Sequence, residues 1–186
     1  MSRTLATDTT VAPIDFAHVV LNTTQPEALK DWYGAVLGME VVVETGPLCF
    51  MSYDGEHHRL AILRNPNLEA SADDRVGVNH FAYTLPDLGA LLGTYRRLKA
   101  IDIEPWWCIN HGPTTSMYYR DPDGNAVELQ VDNYSKEEAK AWMNSPAFND
   151  NPLGIDYDPE RLAARFEAGD PIEELLQQGS APKGDI

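Results

Sequence analysis

The sequence predicts an α+β fold made of two copies of a βαβββ module followed by an acidic helical extension. Three observations lead there. A constant offset of 62 residues sets His18 on His80, Leu29 on Leu91 and Tyr33 on Tyr95. Both halves show the same order of strand-like and helix-like segments. From Asp132 onward the composition shifts to 12 acidic against 5 basic residues.

The first strand is expected over 14–21, with Ile14, Phe16, His18 and Val20 on one face. Its repeat lies over 76–84, with Val76, Val78, His80 and Ala82 aligned in the same way. A helix follows each strand. One opens on the capping-box pattern Thr24-Gln-Pro-Glu27 and ends at Leu37 before Gly38, and the other runs from about Asp87 to Ala100. Further strands are expected over 39–45, 47–53 and 58–64, and over 101–108, 114–120 and 125–131. Asp121-Pro-Asp-Gly-Asn125 is a tight turn in which Asp121 and Asp123 are turn formers.

The modules span about 11–70 and 75–132, and the extension spans 133–186. Within the extension, Ser135-Lys-Glu-Glu138 is a capping box for a helix reaching Met143. Asp158-Pro and Asp170-Pro each pair an N-cap with a proline at the first helical position. Residues 149–154 are expected as a loop, and 1–10 and 179–186 as disordered ends. The extension is expected to close a pocket, pack on a partner subunit or cap a sheet edge.

A chain of 186 residues with 43% hydrophobic content can bury one substantial core. Its net charge of −15 argues against binding nucleic acid or an anionic membrane. There is no apolar run of membrane-spanning length and no secretory leader, so the cytoplasm is the expected location. Cys49 and Cys108 suggest neither a disulfide framework nor a thiolate metal site.

His18, His80 and Glu128 fall on strand faces expected to point inward, at repeat-related positions. A buried carboxylate and buried imidazoles need partners, and one divalent metal satisfies all three. Two histidines and a carboxylate leave coordination positions open and suit non-haem Fe(II). Mn(II) accepts the same ligands. Leu60-Ala-Ile-Leu63, the last strand of the first half, carries no carboxylate, His or Gln.

Ile109-Asn-His111, Met117-Tyr118, Asp121-Pro-Asp-Gly124 and Glu128 together resemble the signature of type I extradiol dioxygenases of the vicinal oxygen chelate superfamily. The resemblance covers 11–132 and is to the smaller, one-domain branch. It implies one open mixed-sheet barrel around a metal site held by His18, His80 and Glu128. It further implies His58 as the acid–base residue, in a segment His57-His58-Arg-Leu-Ala-Ile62 similar to the family's. His111 and Tyr118 would hydrogen-bond the oxygens of a catecholic substrate, which is cleaved with O2 to a muconic semialdehyde-type product. Trp106 and Trp107 either line the substrate pocket or belong to the core, and His57 is expected either to be structural or to support the site from behind. A glyoxalase- or epimerase-like metal isomerase or lyase, and a non-catalytic small-molecule binder, are the alternatives. Exposed sheet edges and the long tail are compatible with a homodimer.

Overall fold

The computed structural model describes residue 10, residues 12–69 and residues 76–184. The first half contains β1 (Val19–Thr23), α1 (Pro26–Leu37), β2 (Glu40–Thr45), β3 (Leu48–Ser52) and β4 (Leu60–Arg64). The second repeats the order with β5 (His80–Thr84), α2 (Leu88–Lys99), β6 (Trp107–Asn110), β7 (Thr114–Arg120) and β8 (Ala126–Asp132). The extension adds α3 (Lys136–Met143), α4 (Pro146–Asp150), β9 (Ile155–Asp156), α5 (Pro159–Glu167) and α6 (Ile172–Leu175).

The halves form two separate sheets, ordered β1-β4-β3-β2 and β5-β8-β7-β6-β9. In each, the first strand runs parallel to the last, with Val19 opposite Leu60 and His80 opposite Ala126. The sheets stay open, and a cleft between the β1 and β5 edges is lined by Val20, Asn22, Gln25, Val78 and Phe81. None of the expected site residues lines it.

Each helix covers one face of its own sheet. Leu29, Trp32, Tyr33 and Val36 recur at helical spacing on α1, as do Leu88, Leu91, Leu92, Tyr95 and Leu98 on α2. They pack with Met51, Leu60 and Ile62 from the first sheet and Met117, Tyr119, Val127 and Leu129 from the second. Gly38 ends α1 at φ 65, a left-handed conformation that glycine adopts without penalty. Asp87 caps α2 by accepting from the Ala90 N–H at 2.8 Å.

Polar straps join the halves. Tyr33 donates to Asp121 Oδ2 at 3.1 Å from inside the core. Gln25 Nε2 donates to the Pro122 carbonyl at 2.9 Å and to Asp123 Oδ1 at 2.7 Å. Arg97 reaches back to the Ala35 carbonyl at 2.5 Å.

Several expectations are corrected. The strand over 14–21 begins only at Val19, because β4 offers five partners and the last is matched at Thr23. Arg59 holds the preceding segment instead, donating to the Phe16 carbonyl at 2.8 Å. His18 therefore lies outside the strand and is exposed, as are Ile14 and Phe16. Likewise β5 starts at His80, with Val76 and Val78 exposed. Thr24 is not a cap: α1 begins at Pro26 and Gln25 makes no side-chain cap bond, its amide being spent on the Asp121–Asn125 turn. Residues 101–106 are not strand, since Asp102 at φ 59 turns the chain back from α2.

In the extension, Ser135 and Asp158 are N-caps as expected, and Glu138 completes the box. Asp170 is not a cap, because Arg165 Nε takes its carboxylate at 2.5 Å. Residues 179–184 are not loose: Ala181 is buried, and Tyr157 bridges to Pro182. The expected disorder over 1–9 and at 185–186 falls outside the described residues. The extension caps the second sheet, with β9 lying along β6 and Leu162 and Ala163 of α5 buried near α2. Among the described residues no helix is long and apolar enough to cross a membrane.

Two predictions follow from these contacts. Tyr33→Phe leaves one Asp121 oxygen short of a buried partner and should cost about 1–2 kcal/mol in denaturant unfolding. Glu160 receives Lys99 Nζ at 2.6 Å and Tyr95 Oη at 2.7 Å and also contacts Arg96, and these bonds lower its pKa from 4.5 to about 2. Its contribution is complete above the unfolded value and is lost as pH falls from about 4.5 to about 2. Glu160→Gln should therefore flatten the fall of Tm over that window, measured against wild type.

Candidate active site

The second sheet turns one face toward α2 and the other toward the site. Register alone places Trp107, Tyr118, Glu128 and Ala82 in one cross-strand row on the site face. The indole of Trp107 stacks on Tyr118 at 4.8 Å between centroids, and Trp106 stacks on Trp107 at 5.7 Å. Arg120 lies over Trp106. The row ends in an aromatic wall whose outer member is half exposed.

Glu128 is 4% exposed on β8, an interior strand between β5 and β7. Its Oε2 faces His80 Nε2 at 3.0 Å. The other nitrogen of that ring, Nδ1, is 2.7 Å from Asn79 Oδ1, an oxygen that can only accept. Nδ1 therefore carries the proton, and the Nε2 of a neutral ring presents a lone pair to a carboxylate lone pair. Two acceptors this close, one of them buried, need a shared cation, either a proton on the ring or a divalent metal. The donor chemistry fits a metal for this pair.

Tyr118 packs edge-on against His80 at 5.4 Å. Its hydroxyl lies 3.0 Å from His111 Nε2. Burial, then the neighbouring Glu128 carboxylate, raises its pKa well above the usual phenol range, so the hydroxyl keeps its proton. His111 Nδ1 is 2.5 Å from the Leu153 carbonyl, contributed by the extension.

The first sheet carries a second cluster. His58 stands edge-on to Phe50 at 4.9 Å and stacks against His18 at 4.3 Å. Its Nδ1 is 2.6 Å from that of His57, so one of these nitrogens donates and the other accepts. Burial, followed by repulsion from His18 and His57, lowers the His58 pKa. Thus His80, Glu128, Tyr118, His111 and Trp107 come together on one sheet, while His18, His58 and His57 come together on the other. Among the described residues, no group of three His, Cys, Asp or Glu side chains forms a metal cage, so His18 stands apart from the His80–Glu128 pair. Ala61, opposite Val20, corresponds in register to Glu128 opposite Ala82.

Three contributors escaped the sequence reading. Asn79 orients His80, and its adjacency in sequence was the available signal. Asp156 accepts from Trp107 Nε1 at 2.8 Å, and Leu153 acts through its carbonyl. Neither of the last two announces itself by residue type.

The sequence profile of the Glyoxalase/Bleomycin resistance protein/Dioxygenase superfamily matches residues 15–129. Biphenyl-2,3-diol 1,2-dioxygenase 2 of Rhodococcus globerulus is 49% identical over 162 residues, 86% of this chain and 85% of its own. Biphenyl-2,3-diol 1,2-dioxygenase 3 of the same organism is 42% identical over 177 residues, 94% and 93% of the two chains. Among solved structures, a glyoxylase/bleomycin resistance protein/dioxygenase domain from Frankia sp. EAN1pec is similar with a TM-score of 0.56 at 15% identity, covering 70% of this chain and 99% of that one. With its two βαβββ modules and a match across both, the chain belongs to the Glyoxalase/Bleomycin resistance protein/Dioxygenase superfamily.

Proposed function

We propose that the chain is an extradiol ring-cleavage dioxygenase acting on a catechol, with a biaryl catechol such as biphenyl-2,3-diol as the first candidate. The observation that carries this reading is the pairing of His80 with the buried Glu128, which lies beside the Tyr118–His111 hydrogen bond and the Trp107 wall. Relatives at 42–49% identity bear that activity in their names. His80, Glu128 and His18 would hold Fe(II), and Mn(II) suits the same donors. His18, exposed and tilted against His58 at the edge of the first sheet, would be the third ligand. Such an ion, when bound, would supply Lewis-acid activation of the catechol and electron transfer to O2.

The chain's own residues do the rest. Trp107 and Tyr118 present flat, desolvated surface on which an aromatic ring packs. A bound catechol would divide the Tyr118–His111 bond: the Tyr118 hydroxyl would donate to one vicinal oxygen, and the His111 Nε2 lone pair would accept from a hydroxyl at the other. The His58 imidazole, in the cluster on the first sheet, would accept a proton from the catechol and return it as the ring opens. Both atoms of O2 enter the product, a muconic semialdehyde-type chain, so no outside reductant is needed. Ala61 supplies no fourth protein ligand, which distinguishes this site from one built for an isomerase with a filled coordination shell.

Anaerobic loading with Fe(II), followed by oxygen and either catechol or biphenyl-2,3-diol, should give stoichiometric oxygen uptake and a yellow product. Iron-loaded protein that consumes no oxygen with either compound would sink the reading. Glu128→Ala should lose iron, by metal analysis, by more than the roughly 10–100-fold that supporting residues cost. His58→Ala should retain iron while kcat falls by about 10²–10⁴. Full activity in that variant removes His58 from the mechanism.

A further inference from the structure

We infer that the C-terminal extension is a positioning device for His111, acting through Leu153, Gly154 and Asn151. The inference rests on the ring-cleavage reading for its catalytic consequence, but its geometry stands independently.

β9 pairs antiparallel with β6, setting Ile155 opposite Asn110 and Asp156 opposite Ile109. Continuing that register by one step places Gly154 against His111. The approach is too close for any other residue. At φ 107, a Cβ on Gly154 would run into the Asn110 carbonyl oxygen and the His111 Cα. Asn151 locks the turn that delivers the strand, accepting from the Gly154 N–H at 3.0 Å and donating to the Gly154 carbonyl at 2.7 Å. The preceding carbonyl, that of Leu153, then arrives 2.5 Å from His111 Nδ1.

A carbonyl oxygen only accepts, so it fixes the proton on Nδ1. Nε2 of the neutral ring is left as a lone pair, so the hydrogen bond across the 3.0 Å to Tyr118 runs from the hydroxyl to the ring. The tail thus sets the direction of the hydrogen bond inside the site: Leu153 accepts from His111, and His111 accepts from Tyr118. Without the tail's carbonyl, the ring could take either tautomer and turn about its χ angles. Asn110 is tied to the same segment, donating to the Leu176 carbonyl at 2.8 Å and accepting from Gln178 at 3.0 Å. Trp142 of α3 packs over Gly112, where a Cβ would enter its ring. The residues on both sides of His111 are held by the extension.

The test is ¹⁵N NMR of histidine-labelled full-length protein, with and without diamagnetic Zn(II). His111 should show a directly bonded proton on Nδ1 and an unprotonated Nε2. Gly154→Ala and the milder Asn151→Ala should lose or average that signature, with iron content retained and kcat on biphenyl-2,3-diol down about 10- to 100-fold. Asn151→Asp, which keeps the acceptor for the Gly154 N–H, should recover part of both. A wild-type His111 protonated on Nε2 alone overturns the inference whatever the variants do, as does an Asn151→Ala protein with an unchanged tautomer. If the tautomer is as stated but iron-loaded wild type consumes no catechol, the ring-cleavage reading fails while the positioning stands.

Discussion

Glu128 sits on β8 with β5 on one side and β7 on the other, its carboxylate shut away from water and facing an imidazole nitrogen whose proton has been drawn to the opposite side of the ring. Two acceptors held 3.0 Å apart in a low-dielectric setting are tolerable only with positive charge between them. The surrounding architecture keeps them there. Parallel pairing with β5 sets Ala82 against Glu128, and that register brings His80, two residues earlier on the same face, to its diagonal. The other face of β8 buries Val127, Leu129 and Val131 in the core that α2 covers. Shifting β8 by one residue would exchange the carboxylate for core side chains, so core packing and site geometry are one constraint.

The two modules contribute unequally. The second provides the His80–Glu128 pair, the phenol, the hydrogen-bonding imidazole and the aromatic wall. The first provides His58 over Phe50 and the exposed His18. A reaction drawing on both clusters depends on how the modules are held together, and the specific polar ties converge on the Asp121–Asn125 turn. Asp121 there accepts from Tyr33, Asn125 and the backbone N–H of Asp123. Burial raises the Asp121 pKa, while these donors oppose the shift. A turn that reads in sequence as a simple hairpin is also the buckle between the halves.

Much of this was legible because local signals and tertiary packing agreed. The helical spacing of Leu29, Trp32, Tyr33 and Val36, the caps at Asp87, Ser135 and Asp158, and the inward position of Glu128 all follow from side-chain pattern. The failures share a cause. Residues 14–18 and 76–79 alternate like strands, but a strand extends only as far as it has a partner, and β4 and β8 end the pairing. Thr24 looked like a cap until Gln25 found partners nearly a hundred residues away. β9 was invisible because its two residues pair through backbone, and Leu153 acts through an atom common to every residue. Hydrogen bonds that depend on position rather than identity leave little trace in a sequence.

The covering of β6 by β9 also bears on the order of synthesis. Chains emerge from the N-terminus, and domains begin folding as they appear. Both modules are complete at Asp132, more than twenty residues before Ile155–Asp156 can lie along β6. During that interval β6 is an open edge, with unpaired backbone groups at Ile109 and Asn110 available to any passing strand. The nascent protein can therefore assemble its carboxylate and histidine pair early, yet it acquires a closed edge and an oriented His111 only when the tail arrives.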